Sequence, residues 1–277
     1  MIIQLERGDT LPANDRIALY GDGCFTTMAV ESNRIELLNC HMQRLQQSCR
    51  RLQIDFSDWT QLQATLVKLA SQYEGGVLKA VISRGQGGRG YDTQGVINSC
   101  CYLSYSTMPE HYPSLRAEGL KLGLSTVQLA KQPLLAGIKH LNRLEQVLVK
   151  LAMHETGCDD MVVCDTDGYV IETSSGNLFW RLGKDWFTAD LTNSGVKGVM
   201  RNHVIDVMRT NQLNIVEITS KPEAILKSDE MFVCNSLMKI IPVSQLDFES
   251  HGKTFEQTQG SFINWFVNHQ SEVNLHV

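Results

Sequence analysis

Residues 133–157 are PLLAGIKHLNRLEQVLVKLAMHETG, an apolar run that leads through Lys139 into a helical pattern ending at Gly157. Asn142, followed three residues later by Glu145, is typical of a capping box and predicts a helix that begins just after the lysine. Apolar surroundings and the positive end of a helix both disfavour an ammonium, which suits a lysine that bonds covalently to a cofactor. The alternative is a surface lysine whose stem covers apolar residues.

Strands and helices alternate irregularly along the chain, which predicts an α+β (mixed α/β) fold with two domains. The predicted N-terminal α/β domain covers 1–107. An interdomain linker is predicted at 108–118, where two of the six prolines stand among charged residues. The predicted C-terminal α/β domain covers 119–277 and carries Lys139.

Two amphipathic helices and a hairpin are predicted from local patterns. Ser32-Asn33 separates two apolar runs and favours a hairpin turn. The apolar face of the first helix is formed by Met42, Leu45, Cys49 and Leu52. The apolar face of the second helix is formed by Leu144, Val147, Leu148 and Leu151.

Composition narrows the class of protein. A hydrophobic fraction of 43% with 20% charged residues is typical of a globular protein. The net charge of -5 gives no reason to expect binding to nucleic acid or to an anionic membrane. No secretory leader or membrane-spanning stretch is evident, so we expect a soluble, cytoplasmic protein. The eight scattered cysteines indicate reduced core thiols, and neither cysteine nor histidine spacing predicts a metal site.

Two further features could bind an anionic, nitrogen-containing ligand. Glu172 lies in an otherwise apolar and hydroxylic strand, where a carboxylate needs a cation such as a protonated pyridine unless it faces water. Residues 194–201, SGVKGVMR, place backbone N–H groups at a helix start, which suits a phosphate, although an ordinary loop has the same pattern. Arg44 could add a charged donor to that phosphate or could lie on a solvated helix face.

The glycine-rich turn SRGQGGRGYD, residues 83–92, carries Arg84 and Arg89. Its spacing differs from a dinucleotide fingerprint. Two arginines on a turn suit recognition of a substrate carboxylate, and a plain surface loop is the alternative.

Taken in order, six segments resemble the class IV aminotransferase family of fold type IV pyridoxal-5'-phosphate (PLP) enzymes, which are D-amino-acid aminotransferase-like. They are YGDGCFTT (20–27), HMQRL (41–45), GIKHLNRL (137–144), GYVIETSSGNLFW (168–180), SGVKGVMR (194–201) and EMFVCNSLMKIIPV (230–243). The resemblance implies two α/β domains with PLP between them, in a homodimer. It implies that Lys139 bonds to PLP and that Glu172 contacts the pyridine nitrogen. The implied phosphate ligands are Arg44, the backbone N–H groups of Val199 and Met200, and Asn235 with Ser236.

Within that family, Thr26 stands where aminotransferases commonly have glutamate, and Leu144 stands where a family tyrosine is often found. These differences resemble the aminodeoxychorismate lyase branch, which forms 4-aminobenzoate and pyruvate from 4-amino-4-deoxychorismate in folate biosynthesis. This resemblance implies that Thr26 contacts the substrate or assists the leaving step, and that Arg84 or Arg89 holds a carboxylate. The alternatives are a D-amino-acid or branched-chain aminotransferase, and a phosphate-binding module without catalytic activity.

Overall fold

The computed structural model describes residues 1–6, 8–248, 251–255 and 261–270. The chain divides into two compact units, Met1–Pro109 with Ile138–Arg143, and Glu110–Gly137 with Leu144–Val277. The segment around Lys139 thus belongs to the first unit, whereas the sequence placed it in the second domain. The reason is backbone pairing, since the Phe25 N–H donates to the Lys139 carbonyl at 3.0 Å. Residues predicted to be a linker are partly helical.

The first unit contains a five-stranded sheet in the order β1-β5-β4-β2-β3. Its elements are β1 (Ile2–Gln4), α1 (Arg16–Tyr20), β2 (Gly23–Glu31), β3 (Arg34–Ile35), α2 (Leu38–Leu52), α3 (Trp59–Ala70), β4 (Gly75–Ser83) and β5 (Cys100–Ser106). The predicted hairpin is confirmed, because β2 and β3 pair through Ser32 and Asn33, which both have positive φ as a tight hairpin turn requires.

Helix α2 packs its apolar face into the core of the first unit. Met42, Leu45 and Cys49 are buried, and Met28 from β2 and Leu62 from α3 belong to the same hydrophobic cluster. This burial matches the predicted apolar stripe and sets the direction in which the other side chains of α2 point.

The second unit contains a larger mixed sheet in the order β11-β10-β9-β12-β13-β6-β7-β8, with β14 paired to β13. Its elements are α4 (Tyr112–Glu118), β6 (Leu120–Leu124), α5 (Leu144–Met153), β7 (Asp160–Cys164), β8 (Val170–Thr173), β9 (Asn177–Leu182), β10 (Asp185–Ala189), α6 (Val199–Thr210), β11 (Ile215–Ile218), α7 (Pro222–Ile225), β12 (Glu230–Asn235), β13 (Lys239–Phe248), β14 (His251–Thr254) and α8 (Ser261–His269). Stacked rings of Phe179, Phe232 and Phe262 join β9, β12 and α8. Within the described ranges, no helix has the length and hydropathy needed to cross a membrane.

Helix α5 differs from the sequence prediction at its start and on its apolar face. It begins at Leu144 without the capping box, because the Asn142 amide donates to the Gly21 carbonyl and the Glu145 carboxylate accepts from the Ala130 N–H. The predicted apolar face is exposed to between 52% and 77%, although Val149 on the other side is fully buried. The members of that face are Leu144, Val147, Leu148 and Leu151.

Candidate active site

Lys139 lies beside β2 in an extended segment, five residues before α5 begins. It is half-buried, and its Nζ atom lies 4.7 Å from the centre of the Phe25 ring. The Nζ atom of Lys79 on β4 lies 4.9 Å from the same ring centre. Sequence reasoning missed Lys79, because a lysine in the middle of a strand belongs to no recognisable motif. Two lysine amino groups therefore lie against one aromatic ring.

Strand β2 separates two neighbouring threonines onto opposite faces. Side chains alternate along a strand, so Phe25 and Thr27 point to one face and Thr26 points to the other. Lys79 is directly opposite Thr27 in the β2–β4 pairing and shares its face. The lysine-bearing face of β2 therefore carries the half-buried Thr27, which the sequence prediction missed.

Thr26 is fully buried and bonded within the first unit. Its Oγ1 atom lies 2.6 Å from His41 Nδ1 and accepts a hydrogen bond from the Arg44 guanidinium. Because burial and the Arg44 charge hold the pKa of His41 well below its ordinary value, the imidazole is neutral and can accept the Thr26 hydroxyl proton. The expectation that Thr26 contacts the substrate is corrected, since its hydroxyl is enclosed and already engaged by two neighbours.

Arg44 is a cation with spare donor capacity. Burial lowers its pKa to about 10. Its Nε atom is buried and finds no hydrogen-bond partner among the residues that the structure describes. A buried, unsatisfied N–H on a charged group is costly, so an anion that reached this guanidinium would be bound favourably.

Glu172 lies on β8 in the second unit and is 5% exposed, which excludes the alternative that it faces water. Its Oε2 atom accepts the Val196 N–H at 2.8 Å, and its Oε1 atom accepts from the Gln146 amide at 3.4 Å. The first bond ties Glu172 to the loop before α6, and the second ties it to α5. The carboxylate is therefore fixed in place by neutral donors from two elements.

The loop before α6 leads into a helix start whose first backbone donors have no acceptor within the helix. Val199 and Met200 are the first two residues of the helix, so their N–H groups have no acceptor within it. A side chain at Gly198 would bring its Cβ within 2.3 Å of Asn177 Oδ1, so any larger residue would displace the Asn177 side chain. Asn177 in turn holds the loop through a 2.9 Å bond from its amide to the Val196 carbonyl. This is the geometry of an anion-binding helix start.

Asn235 and Ser236 lie at the turn between β12 and β13. The Asn235 Oδ1 atom accepts the N–H groups of Leu237 and Met238 at 2.9 and 2.8 Å. Its amide donates to the Ser175 carbonyl at 3.1 Å. Asn235 thus shapes the turn with its whole side chain, and Ser236 is the half-buried residue that follows it.

The two arginines of the glycine-rich turn have different surroundings. Arg84 donates to Asp22 and to the carbonyls of Leu52 and Gln53, all between 2.7 and 2.8 Å. These bonds occupy each guanidinium nitrogen, so the expectation that Arg84 holds a substrate carboxylate is corrected to a structural role. Arg89 is exposed and stays a candidate.

Comparisons with known proteins identify the family of the chain. The model of the family described as amino-transferase class IV matches residues 23–246. The chain belongs to this family. It is 36% identical over 258 residues to the aminodeoxychorismate lyase of Vibrio harveyi, covering 91% of this chain and 95% of that protein. The resemblance predicted from the six sequence segments is confirmed.

Solved structures support the same fold. The crystal structure of 4-amino-4-deoxychorismate lyase from Pseudomonas aeruginosa matches with a TM-score of 0.85 at 31% identity, covering 98% of this chain and 97% of that one. A hypothetical aminotransferase from Mycobacterium tuberculosis, in a PLP-bound form, matches with a TM-score of 0.82 at 22% identity, covering 96% and 94%. At 22% identity, the match to the Mycobacterium tuberculosis structure supports the fold and not the activity. The predicted mixed α/β fold of type IV is confirmed.

Proposed function

We propose that this chain is a PLP-dependent lyase that converts 4-amino-4-deoxychorismate to 4-aminobenzoate and pyruvate, as a step of folate biosynthesis. The observation that carries the proposal is the 36% identity to a lyase of that name over nearly the full length of both chains. The family match over residues 23–246 includes Lys139, and it favours an enzyme over a phosphate-binding module without catalysis.

Residues within each unit have the donor and acceptor groups that PLP requires. Lys139 is the residue proposed to bond to it, and the buried Arg44 Nε could complete its hydrogen bonding on the phosphate. The N–H groups of Val199 and Met200 would donate two hydrogen bonds to the phosphate from a helix start. Ser236 would donate another from the turn between β12 and β13. Glu172, already fixed by neutral donors, would keep the pyridine nitrogen protonated.

When bound, PLP supplies an electron sink for the substrate carbon that bears the amine. Lys139, released by the substrate amine, would take the proton from this ring carbon at its Nζ atom. The same Nζ could return a proton to the carbon of the departing enolpyruvate, which leaves as pyruvate while the ring becomes aromatic. One residue thus serves as base and acid because it stays beside the reacting carbon.

The substrate carboxylates need cations on the face of β2 that carries Phe25. Lys79 lies on that face, and Arg89 projects from the exposed turn. We propose these two residues as carboxylate ligands and Thr27 as a hydroxyl neighbour of the substrate. Thr26 is then proposed to support Arg44 rather than to touch the substrate.

The test is to offer the purified PLP-loaded enzyme 4-amino-4-deoxychorismate and, separately, pairs of D-amino or branched-chain amino acids with keto acids. We expect equal amounts of 4-aminobenzoate and pyruvate from the first substrate. Amino-group transfer with no aromatic product would instead establish the alternative, an aminotransferase of the same fold.

We also propose that the enzyme is a homodimer in which the exposed apolar face of α5 contacts the partner. Four adjacent aliphatic side chains, all more than half exposed, form the kind of patch that marks an interface. Leu148→Arg should shift the protein toward monomer in sedimentation analysis. Val67→Arg is the matched control, because Val67 on α3 is 53% exposed against 52% for Leu148, and it should leave the dimer intact. A dimer that survives Leu148→Arg would contradict this interface.

A further inference from the structure

Arg16, at the start of α1, is a buried cation outside the residues assigned to cofactor binding. It is 2% exposed. Its Nε atom donates to Asp22 at 2.7 Å, and its Nη1 atom lies 3.2 to 3.4 Å from the carbonyl oxygens of Gly87, Gly90 and Asp92. Those three carbonyls belong to residues 84–99, which connect β4 to β5 and are called the glycine loop below. The loop therefore wraps around one guanidinium.

The backbone of the glycine loop is built to close on this group. Gly87, Gly88 and Gly90 have φ values of +96°, +75° and +59°, which side chains rarely permit. A Cβ at Gly88 would lie 2.4 Å from the Asp92 carbonyl oxygen and 2.9 Å from Arg16 Nη1. Glycine at these positions thus lets the backbone carbonyls of the loop come within hydrogen-bond distance of the Arg16 guanidinium. A larger residue at Gly88 would collide with that group.

Asp22 binds both Arg16 and Arg84. Its Oδ2 atom accepts from both Arg16 and Arg84, at 2.7 and 2.8 Å. Burial would raise the pKa of Asp22, but the hydrogen bonds from Arg84 and Arg16 outweigh it and lower the pKa, so the carboxylate stays charged at neutral pH. A charged pair that is well bonded and shielded from water holds its geometry more firmly than a surface pair does.

The outer side of the same loop presents side chains to solvent. Arg89 stands between Gly88 and Gly90, and Tyr91 is 88% exposed. The Tyr91 ring lies 5.6 Å from the ring of Tyr20, and the Arg16 guanidinium lies 4.9 Å from that second ring. Arg16 therefore donates to the backbone of the glycine loop and also contacts the ring of Tyr20, against which Tyr91 of the loop packs.

We propose that Arg16 is a positioning residue that orders the glycine loop and so holds Arg89 ready for a substrate carboxylate. This inference rests on the proposed function, in which Arg89 binds the substrate. An arginine on an ordered loop loses less conformational freedom on binding than one on a mobile loop, so ordering lowers KM rather than raising kcat.

The experiment compares Arg16→Lys with the wild-type PLP-bound enzyme. Lysine keeps the charge but lacks the planar group that reaches Asp22 and three carbonyls together. Hydrogen exchange of a peptide spanning 85–98 should become at least about tenfold faster. KM should rise by about tenfold, with kcat changed much less. Arg201→Lys is the control for exchange, because Arg201 is equally buried and ion-paired but lies in the other unit, and it should leave this peptide unchanged.

A second variant keeps the Arg16 residue and alters the backbone of the loop instead. Gly88→Ala should open the loop around an intact Arg16 and raise both peptide exchange and KM in the same direction. With Arg89→Ala in the background, Arg16→Lys should raise KM no further, because the positioned group is gone. Unchanged exchange, unchanged KM, or a full additional rise in the double variant would overturn the proposal. A wild type without lyase activity would defeat the proposed function, and the exchange data would still decide whether Arg16 orders the loop.

Discussion

The two units secure their candidate site groups in opposite ways. In the first unit, two basic side chains contact a ring and a hydroxyl, since Lys139 lies against the Phe25 ring and Arg44 donates to the Thr26 hydroxyl. In the second unit, an anion rests on neutral donors, since Glu172 accepts from the Val196 N–H and the Gln146 amide. The comparison teaches that a hydroxyl can fix the direction of a guanidinium and that a backbone N–H can fix the direction of a carboxylate, each through a directed hydrogen bond.

The largest effect is expected at the covalent lysine of the first unit. Lys139→Ala should slow pyruvate release by roughly 10⁴-fold, because the group that would bond to PLP and move the proton is removed. Lys79→Ala is the sharpest comparison, since Lys79 lies against the same ring, and it should raise KM while kcat falls far less. Similar losses of kcat in both variants would contradict the assignment of the proton-transfer role to Lys139 alone.

In the second unit, Glu172→Gln should keep PLP bound but slow turnover by roughly 10²-fold. A neutral amide no longer keeps the pyridine nitrogen protonated, so the electron sink weakens while the phosphate donors stay in place. The measurement is pyruvate release, with PLP content determined by absorbance. Normal turnover in a folded Glu172→Gln enzyme would remove this residue from the mechanism.

The smallest of these effects concerns the support of Arg44. Thr26→Val removes the hydroxyl that bonds to Arg44 and His41. Affinity for PLP should weaken about tenfold, or roughly 1.4 kcal/mol, with little change in kcat at saturating cofactor. Titration of the apoenzyme with PLP measures this. Thr188→Val is the control, because Thr188 is equally buried and hydrogen-bonded but lies on β10 outside the candidate site, and it should leave PLP affinity unchanged. Equal losses in the two variants would contradict a role of Thr26 through Arg44.

Local patterns were enough to predict the hairpin and α2 because turn chemistry and apolar spacing act within a few residues. The same reasoning could not tell that α5 leaves its apolar face uncovered, since periodicity identifies a face but not its neighbour. Strand alternation likewise separates Thr26 from Thr27 without saying which one shares the face of Phe25. That choice depends on the long-range pairing that brings Lys139 to β2.

Arg84 and Arg89 show the same limit within one loop. Both are arginines beside glycines, and nothing local distinguishes them. The distinction comes from Asp22 and the end of α2, which meet Arg84 only after the chain folds. The family resemblance supplied Glu172 and the helix start at Val199 because those positions lie in recognisable segments, whereas Lys79 lies in a strand without a motif.

The most direct test of the account is borohydride reduction of the PLP-loaded enzyme followed by peptide mapping. The account predicts a phosphopyridoxyl group on Lys139, within the peptide that contains GIKHLNR. A label on Lys79 would contradict it most sharply, because the structure places both Nζ atoms within 5 Å of the Phe25 ring centre. A label on any other lysine would contradict it as well.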